Sequence, residues 1–198
     1  MKKLLFLLAV FIFGFASCSK DDSITDEGVV INGVRWATRN VAAPGTFAAT
    51  PEDAGMFFQW NRRTGISATT PGAGVAFPNW NATQAGGSTW ARANDPCPQG
   101  WRVPTMAELN ALHAAGSEWT NRKGVYGRYF GTGQNRIFLP ASGGRNATTG
   151  ALNSVGTWGI FWSRIECDGA RTLSFSRGVV LELSGMRSIG GSVRCVAE

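Results

Sequence analysis

Short apolar runs separated by glycine-rich and polar turns make up most of the chain after residue 28. Residues 29–31 and 34–36 flank Asn32 and Gly33, a dipeptide that predicts a type I′ β-hairpin because both turn positions require positive φ. Later apolar segments have the length and composition of strands. These predicted strands comprise residues 128–130, 136–139, 160–163, 171–175, 179–183 and 192–196.

Two segments carry the signals of a helix start. Thr105 is followed three residues later by Glu108, which is a capping-box pattern, and an apolar stripe continues until Gly116. The segment 50–59 opens with a threonine and a proline and has acidic residues in its first turn, so we expect a short second helix there. The predicted fold class is therefore α+β, with mostly short antiparallel strands, one or two helices and long loops.

The first 17 residues have a pattern of their own. Two lysines precede a continuous apolar run at 4–13, and small residues follow, which predicts a secretory signal peptide. The run is shorter than the roughly 20 residues that a membrane-spanning helix needs. Residues 15–18 (FASC) resemble the lipobox of bacterial lipoproteins. This resemblance implies cleavage before Cys18, acylation of its thiol and stable attachment to a membrane.

Residues 18–27 are polar, acidic and free of aromatic side chains, so they predict a flexible tether. The segment resembles the acidic export signal of surface lipoproteins, and residues 22–24 resemble a short O-glycosylation motif. Both resemblances imply an outer-membrane lipoprotein that faces the cell exterior. The predicted organisation is a signal peptide at 1–17, a tether at 18–27 and one domain at 28–198.

Composition narrows the class of partner. Removal of the signal peptide takes away two lysines, so the formal net charge falls from +6 to +4. The remaining arginines are scattered, whereas a nucleic-acid surface needs them clustered, so no nucleic-acid partner is expected. Twenty-six glycines, eight tryptophans and a charged fraction of 16% are typical of a loop-rich β protein with an aromatic core.

Four cysteines are present, and lipidation of Cys18 would leave Cys97, Cys167 and Cys195. An exported protein meets an oxidising environment, so we expect one disulfide and one free thiol. The residues alone allow three pairings.

Six segments, in order along the chain, carry a further resemblance. They are residues 31–41 (INGVRWATRNV), 55–60 (GMFFQW), 94–105 (NDPCPQGWRVPT), 138–145 (FLPASGGR), 161–163 (FWS) and 192–196 (SVRCV). Together they resemble the FISUMP domain, the major paralogous domain of bacterial surface proteins. The resemblance implies a C-type-lectin-like fold over 28–198, with paired terminal strands and a disulfide between Cys97 and Cys195. Such a bond would close a loop of about 100 residues and stabilise the fold by on the order of 4 kcal/mol.

Catalytic and metal-binding patterns are scarce. His113 is the only histidine, and no histidine or cysteine pair has zinc spacing. Glu166 and Asp168 are adjacent acids in a turn-like stretch, a pattern that more often solvates a loop than cleaves a glycoside. Residues 80–82 (WNA) lack the carboxylate that a calcium-dependent lectin site requires. We therefore expect no enzyme activity, no metal and no cofactor.

Residues 61–96 form a long segment with little periodicity, and such segments are often functional. Trp80 and Trp90 lie in glycine-, asparagine- and threonine-rich surroundings, where an exposed ring would stack on a sugar or hold a protein partner. The alternative for each ring is packing of the loop onto the sheet. The predicted ligand-binding residues are Trp80, Trp90, Arg62, Arg63 and Arg92.

These features predict a surface-displayed lipoprotein that binds glycan or protein ligands and contacts the membrane through lipidated Cys18. The first alternative is a structural subunit of a cell-surface or pilus-associated assembly. An enzyme of unknown type, with Glu166 and Asp168 as its acids, ranks third.

Overall fold

The computed structural model describes residues 25–164 and 170–198, so the predicted signal peptide, Cys18 and Cys167 lie outside the described residues. The described chain forms short strands, one α-helix and one 3-10 turn. In chain order the elements are β1 (Val29–Ile31), β2 (Val34–Trp36), β3 (Met56–Phe57), β4 (Ile66–Ser67), a 3-10 turn (Arg92–Asn94), β5 (Trp101–Arg102), α1 (Met106–Ala114), β6 (Ser117–Arg122), β7 (Val125–Thr132), β8 (Asn135–Pro140), β9 (Gly144–Arg145), β10 (Leu152–Asn153), β11 (Gly159–Trp162), β12 (Ala170–Phe175), β13 (Val180–Gly185) and β14 (Val196–Ala197).

A four-stranded antiparallel sheet joins the two ends of the domain in the order β1-β2-β14-β5. Val196 of β14 lies opposite Trp36 on one side and Arg102 on the other. Two three-stranded antiparallel sheets, β6-β7-β8 and β11-β12-β13, supply most of the remaining structure, and the pairs β3-β4 and β9-β10 complete it. The predicted pairing of the terminal strands of the domain is confirmed.

The predicted hairpin and the capped helix are both confirmed. Asn32 and Gly33 have φ values of 47° and 80°, as a type I′ turn requires. At the start of α1 the Glu108 amide donates to Thr105 Oγ1 at 3.2 Å, and the Thr105 amide donates to Glu108 Oε2 at 2.7 Å. Burial raises the pKa of Glu108, but hydrogen bonds from Arg102 and Thr105 outweigh burial and leave this pKa below its ordinary value.

The predicted α+β class is wrong, because the described residues form an all-β fold with one short helix. The expected helix at 50–59 does not form. Gly55 has φ +68°, and a Cβ there would lie 2.1 Å from the Val41 carbonyl oxygen. Glycine therefore allows the chain to turn here in close contact with the backbone of Val41. Beyond this turn β3 pairs with β4 and buries Phe57. Tertiary packing therefore overrides the local helix signal.

The central strand predictions are confirmed in β7, β8, β11, β12 and β13, whereas the predicted strand at 192–196 is reduced to β14. The sequence pattern missed β6, which pairs with β7 over its full length, from Ser117 opposite Phe130 to Arg122 opposite Val125. The sequence of β6 is mostly polar, so it lacks the apolar alternation that marks a half-buried strand.

The core consists of two main apolar clusters. One lies between α1 and the strands β7, β8 and β12, and the other surrounds the buried rings of Trp60, Trp90 and Trp162. The disulfide between Cys97 and Cys195 belongs to the second cluster, with its Cα atoms 6.1 Å apart. The pairing implied by the family resemblance is thus confirmed.

Arg194 is a fully buried arginine that directly precedes Cys195 of the disulfide. Its guanidinium donates to Asn40 Oδ1 at 3.0 and 2.7 Å, to the Ala37 carbonyl at 3.2 Å and to the Phe138 carbonyl at 3.0 Å. Burial lowers the pKa of Arg194 to about 9, so the group stays charged at neutral pH. These hydrogen bonds connect the segment after β2, the strand β8 and the segment before β14 through one side chain.

The folded unit begins within the segment predicted as a tether. The Asp26 carboxylate accepts hydrogen bonds from the Gly28 amide, the Thr38 amide and the Thr38 hydroxyl, each at 2.9 Å. Its Oδ2 also lies 3.3 Å from Arg39 Nε. Residues 25–27 therefore contact the domain. Within the described ranges, the only α-helix is too short to cross a membrane.

Candidate ligand-binding site

Residues 61–96 are attached to the body of the domain by Arg145, a buried arginine on β9. Its guanidinium donates to the carbonyl oxygens of Ser67 at 2.8 Å, Thr70 at 2.9 Å, Pro71 at 3.2 Å and Gly150 at 2.8 Å. Burial lowers the pKa of Arg145. This side chain therefore fixes the path of the chain that leads to the candidate site.

The candidate site, here called the Gln59 groove, is a hollow of about 200 Å³ on the surface of this segment. Trp80 forms one wall. Its ring packs edge-to-face against Phe77 with centroids 6.0 Å apart, and its Nε1 donates to the Ala147 carbonyl at 2.9 Å. The Arg145 guanidinium lies 4.8 Å from the Phe77 ring centroid on its way to the backbone. The groove is lined by Gln59, Arg62, Thr64, Ile66, Phe77, Asn79, Trp80 and Asn81.

Gln59 is the most informative residue of the groove because it is polar and only 4% exposed. Its Nε2 donates to the Asn81 carbonyl at 2.7 Å and to the Ser188 carbonyl at 2.8 Å. Two carbonyl acceptors fix the orientation of the amide, since only the nitrogen can donate. Among the described residues nothing donates to its carbonyl oxygen, which is therefore an oriented acceptor at the groove.

Arg62 supplies donors at the same groove. Its Nη2 donates to the backbone carbonyl of Thr83 at 3.2 Å and to the hydroxyl of Thr83 at 2.9 Å. Its Nε is buried without an acceptor, and no carboxylate in the described ranges forms an ion pair with it. Arg62 lines the groove together with Gln59, and its Nη1 carries N–H groups that donate to none of the described residues.

Trp90 does not belong to this site. It is 1% exposed, its ring packs against Trp60 with centroids 6.1 Å apart, and its Nε1 donates to the Asn94 carbonyl at 2.8 Å. The ligand-binding role predicted for Trp90 requires an exposed ring, so the structure corrects this part of the prediction. The Trp90 ring is buried because residues far from it in the sequence, such as Trp60, pack over it.

Arg63 and Arg92 lie at a separate hollow of about 250 Å³. Arg63 donates to the Asp95 carbonyl at 2.6 Å, and Arg92 forms an ion pair with Glu198 at 2.7 Å. Burial raises the pKa of Asp95, which also lines this hollow. Both arginines are therefore engaged with the protein itself. Of the five predicted residues, Arg62 and Trp80 meet at the Gln59 groove, and Arg63 and Arg92 meet at the other hollow.

The other chemical candidates are far from a catalytic arrangement or lie outside the described residues. His113 is exposed on α1, and Glu166 and Asp168 fall in the part of the chain that the structure does not describe. In residues 25–164 and 170–198 no three histidine, cysteine or acidic side chains form a group that could hold a metal ion.

Sequence reasoning missed Gln59 and Arg145. A glutamine between Phe58 and Trp60, in a run of buried apolar residues, is the signal that marks Gln59, because an isolated buried amide needs specific partners. Arg145 has no comparable local signal, since its partners lie mostly about 75 positions away.

Comparisons of the chain with protein-family models, with curated proteins and with solved structures find no match. The geometry of the Gln59 groove is therefore the basis for a functional assignment.

Proposed function

We propose that this chain is a non-enzymatic, lipid-anchored surface protein that binds glycans, with the Gln59 groove as a sugar-binding site. The observation that carries the proposal is that Gln59, whose amide orientation is fixed, lines the same groove as Arg62 and Trp80. Adjacent sugar hydroxyls both donate and accept hydrogen bonds, so an acceptor next to a cationic donor matches them. The apolar C–H face of a sugar ring packs against an aromatic side chain.

The size of the groove supports a small unit of a larger ligand. At about 200 Å³ it is smaller than the roughly 300–1,000 Å³ of pockets for drug-sized molecules. A single sugar ring of a glycan chain fits such a volume better than an extended peptide. A protein ligand, the other partner predicted from the sequence, would need a larger contact area.

Membrane attachment through lipidated Cys18 and display at the outer surface remain part of the proposal. Six residues lie between Cys18 and Thr25, where the described domain begins, and the seven Cα–Cα steps of an extended chain span at most about 25 Å. The domain would thus stay close to the membrane surface. Replacing Cys18 with serine should release the protein from membranes, and continued membrane association of this variant would contradict the lipid anchor.

A glycan array probed with the full chain in detergent, with calcium and with chelator, tests the sugar-binding role. We expect binding that survives chelator, is lost in Trp80→Ala and falls at least about tenfold in Arg62→Gln, because one charge-assisted hydrogen bond is worth about 1.5–3 kcal/mol. Arg35→Gln is the matched control, since Arg35 also donates to a backbone carbonyl but lies outside the groove. A blank array with folded protein would contradict the proposal.

The assembly role is the second candidate, and one observation favours it. Strand β13 is an edge strand in the described sheet, and Leu181 and Leu183 are exposed on the same face. An edge strand with exposed apolar residues can pair with a strand of another subunit. Leu181→Lys should then abolish co-purification with surface-appendage proteins, and retention of glycan binding in this variant would separate the two roles.

A further inference from the structure

A second hollow, here called the Tyr126 site, lies where the sheet β6-β7-β8 meets the β12–β13 turn. It has a volume of about 380 Å³ and shares no lining residue with the Gln59 groove. It is lined by Trp119, Tyr126, Gly156, Thr157, Ser176 and Arg177. A ligand bound here would contact none of the residues that line the Gln59 groove.

Two aromatic rings form the floor of the Tyr126 site. Trp119 lies opposite Arg128 and Asn121 lies opposite Tyr126, so Trp119 and Tyr126 are diagonal neighbours on one face of the sheet. Their rings are parallel within 13° and their centroids are 6.1 Å apart. Trp119 packs partly against the core, whereas Tyr126 is 49% exposed. The pair is therefore a fixed aromatic surface that is open to solvent.

Arg128 holds the opposite wall in place. This largely buried side chain donates from Nε to the Ser176 carbonyl, from Nη2 to the Arg177 carbonyl and from Nη1 to the Ser117 hydroxyl, each at 2.9 Å. The turn that carries Arg177 is thus attached to the same strand that carries Tyr126. Preorganised walls reduce the conformational entropy that a ligand must overcome on binding.

The polar character of the Tyr126 site is cationic. Arg177 is exposed, and no carboxylate in the described ranges forms an ion pair with it or lines the hollow. Thr157 donates its hydroxyl to the Ser154 carbonyl at 2.9 Å, which leaves the hydroxyl oxygen to accept a hydrogen bond. Ser176 adds a second hydroxyl at the rim.

From these features we infer that the Tyr126 site binds an acidic saccharide. A sugar ring would pack its C–H face on Tyr126 and Trp119, and its carboxylate would pair with Arg177, the only charged side chain in the lining. Ring hydroxyls match the hydroxyl groups of Thr157 and Ser176. The volume lies within the roughly 300–1,000 Å³ range of ligand pockets, so one or two sugar units fit. A quaternary ammonium ligand is disfavoured because Arg177 would repel it.

The test measures binding of trigalacturonic acid, and of galactotriose as its neutral counterpart, to the full chain in detergent by isothermal titration calorimetry. We expect the acidic trisaccharide to bind more tightly, with an affinity that falls as salt rises. Tyr126→Ala should weaken binding by about tenfold, because it removes the exposed ring against which the sugar would pack. Arg177→Gln should remove the preference for the acidic sugar.

Matched controls separate this site from its surroundings. Tyr129→Ala changes a tyrosine on the same strand but outside the hollow, and Arg136→Gln removes another arginine, so both should leave the affinity unchanged. Equal binding of both sugars, or binding insensitive to Tyr126→Ala and Arg177→Gln, would overturn the inference. Loss of acidic-sugar binding in Trp80→Ala alone would also overturn it, while supporting the Gln59 groove.

Discussion

Replacing Arg145 with lysine tests whether one buried side chain holds the Gln59 groove in shape. The guanidinium donates to four backbone carbonyls that belong to two separate segments, residues 67–71 and Gly150. A lysine keeps the positive charge but concentrates its donors on one atom, so it cannot reproduce this planar fork. The substitution therefore removes the planar arrangement of hydrogen-bond donors but keeps the positive charge.

The expected loss of stability follows from the number of hydrogen bonds that the substitution removes. If lysine retains two of the four hydrogen bonds, two charge-assisted bonds are lost, each worth about 1.5–3 kcal/mol, and the free energy of unfolding falls by about 3–6 kcal/mol. A domain of this size has a stability of about 5–15 kcal/mol, so the variant should still fold. Because Phe77 packs under the same guanidinium, the 67–77 segment should loosen before the rest of the domain.

Urea denaturation followed by tryptophan fluorescence measures the global effect, and hydrogen exchange at residues 67–77 measures the local one. Arg136→Lys is the matched control, because Arg136 is exposed and lies 4.1 Å from the Tyr129 ring centroid. This control should cost no more than about 1 kcal/mol. An Arg145→Lys variant with wild-type stability and unchanged exchange would refute the assigned role.

Three further predictions concern stability. Replacing both Cys97 and Cys195 with serine opens a crosslink between residues 98 positions apart, and the urea midpoint should fall by an amount corresponding to on the order of 4 kcal/mol; an unchanged midpoint would contradict this. Gly55→Ala should destabilise the fold by about 2 kcal/mol or more, whereas Gly178→Ala, where the added methyl meets nothing and φ is not positive, should be close to neutral in the same assay. The folded-state pKa of Glu108 lies below the ordinary value of 4.5, so its carboxylate stabilises the fold above that pH and the contribution disappears on further acidification. Glu108→Gln should therefore flatten the loss of stability below about pH 4.5, and an identical acid profile for the variant would contradict the pKa assignment.

The candidate sites show that residue type and local sequence do not predict which side chains line a groove. Trp80 and Trp90 lie in similar sequence surroundings, yet Trp80 borders a groove and Trp90 is sealed against Trp60. Arg62 borders the same groove, but Arg63, its direct neighbour, points to another hollow. Burial of an isolated aromatic residue in a long loop depends on which distant segment covers it, and no local pattern carries that information.

Local sequence accounts for the features that arise from interactions between neighbouring residues. The Asn32-Gly33 hairpin requires only two residues that tolerate positive φ, and the start of α1 requires only reciprocal hydrogen bonds between Thr105 and Glu108. The family resemblance added the Cys97–Cys195 bond, which the structure contains.

The fold class, the orientation of Gln59 and the aromatic floor of the Tyr126 site depend on contacts between residues that are distant in sequence. The 50–59 segment carries a helix start signal, yet close contact of Gly55 with Val41 and burial of Phe57 hold it as a turn and a strand. Helix signals are worth a few tenths to about one kcal/mol per residue, whereas burial of one phenylalanine is worth about 1.5–3 kcal/mol. Contacts between distant residues therefore outweigh local preference wherever the two disagree.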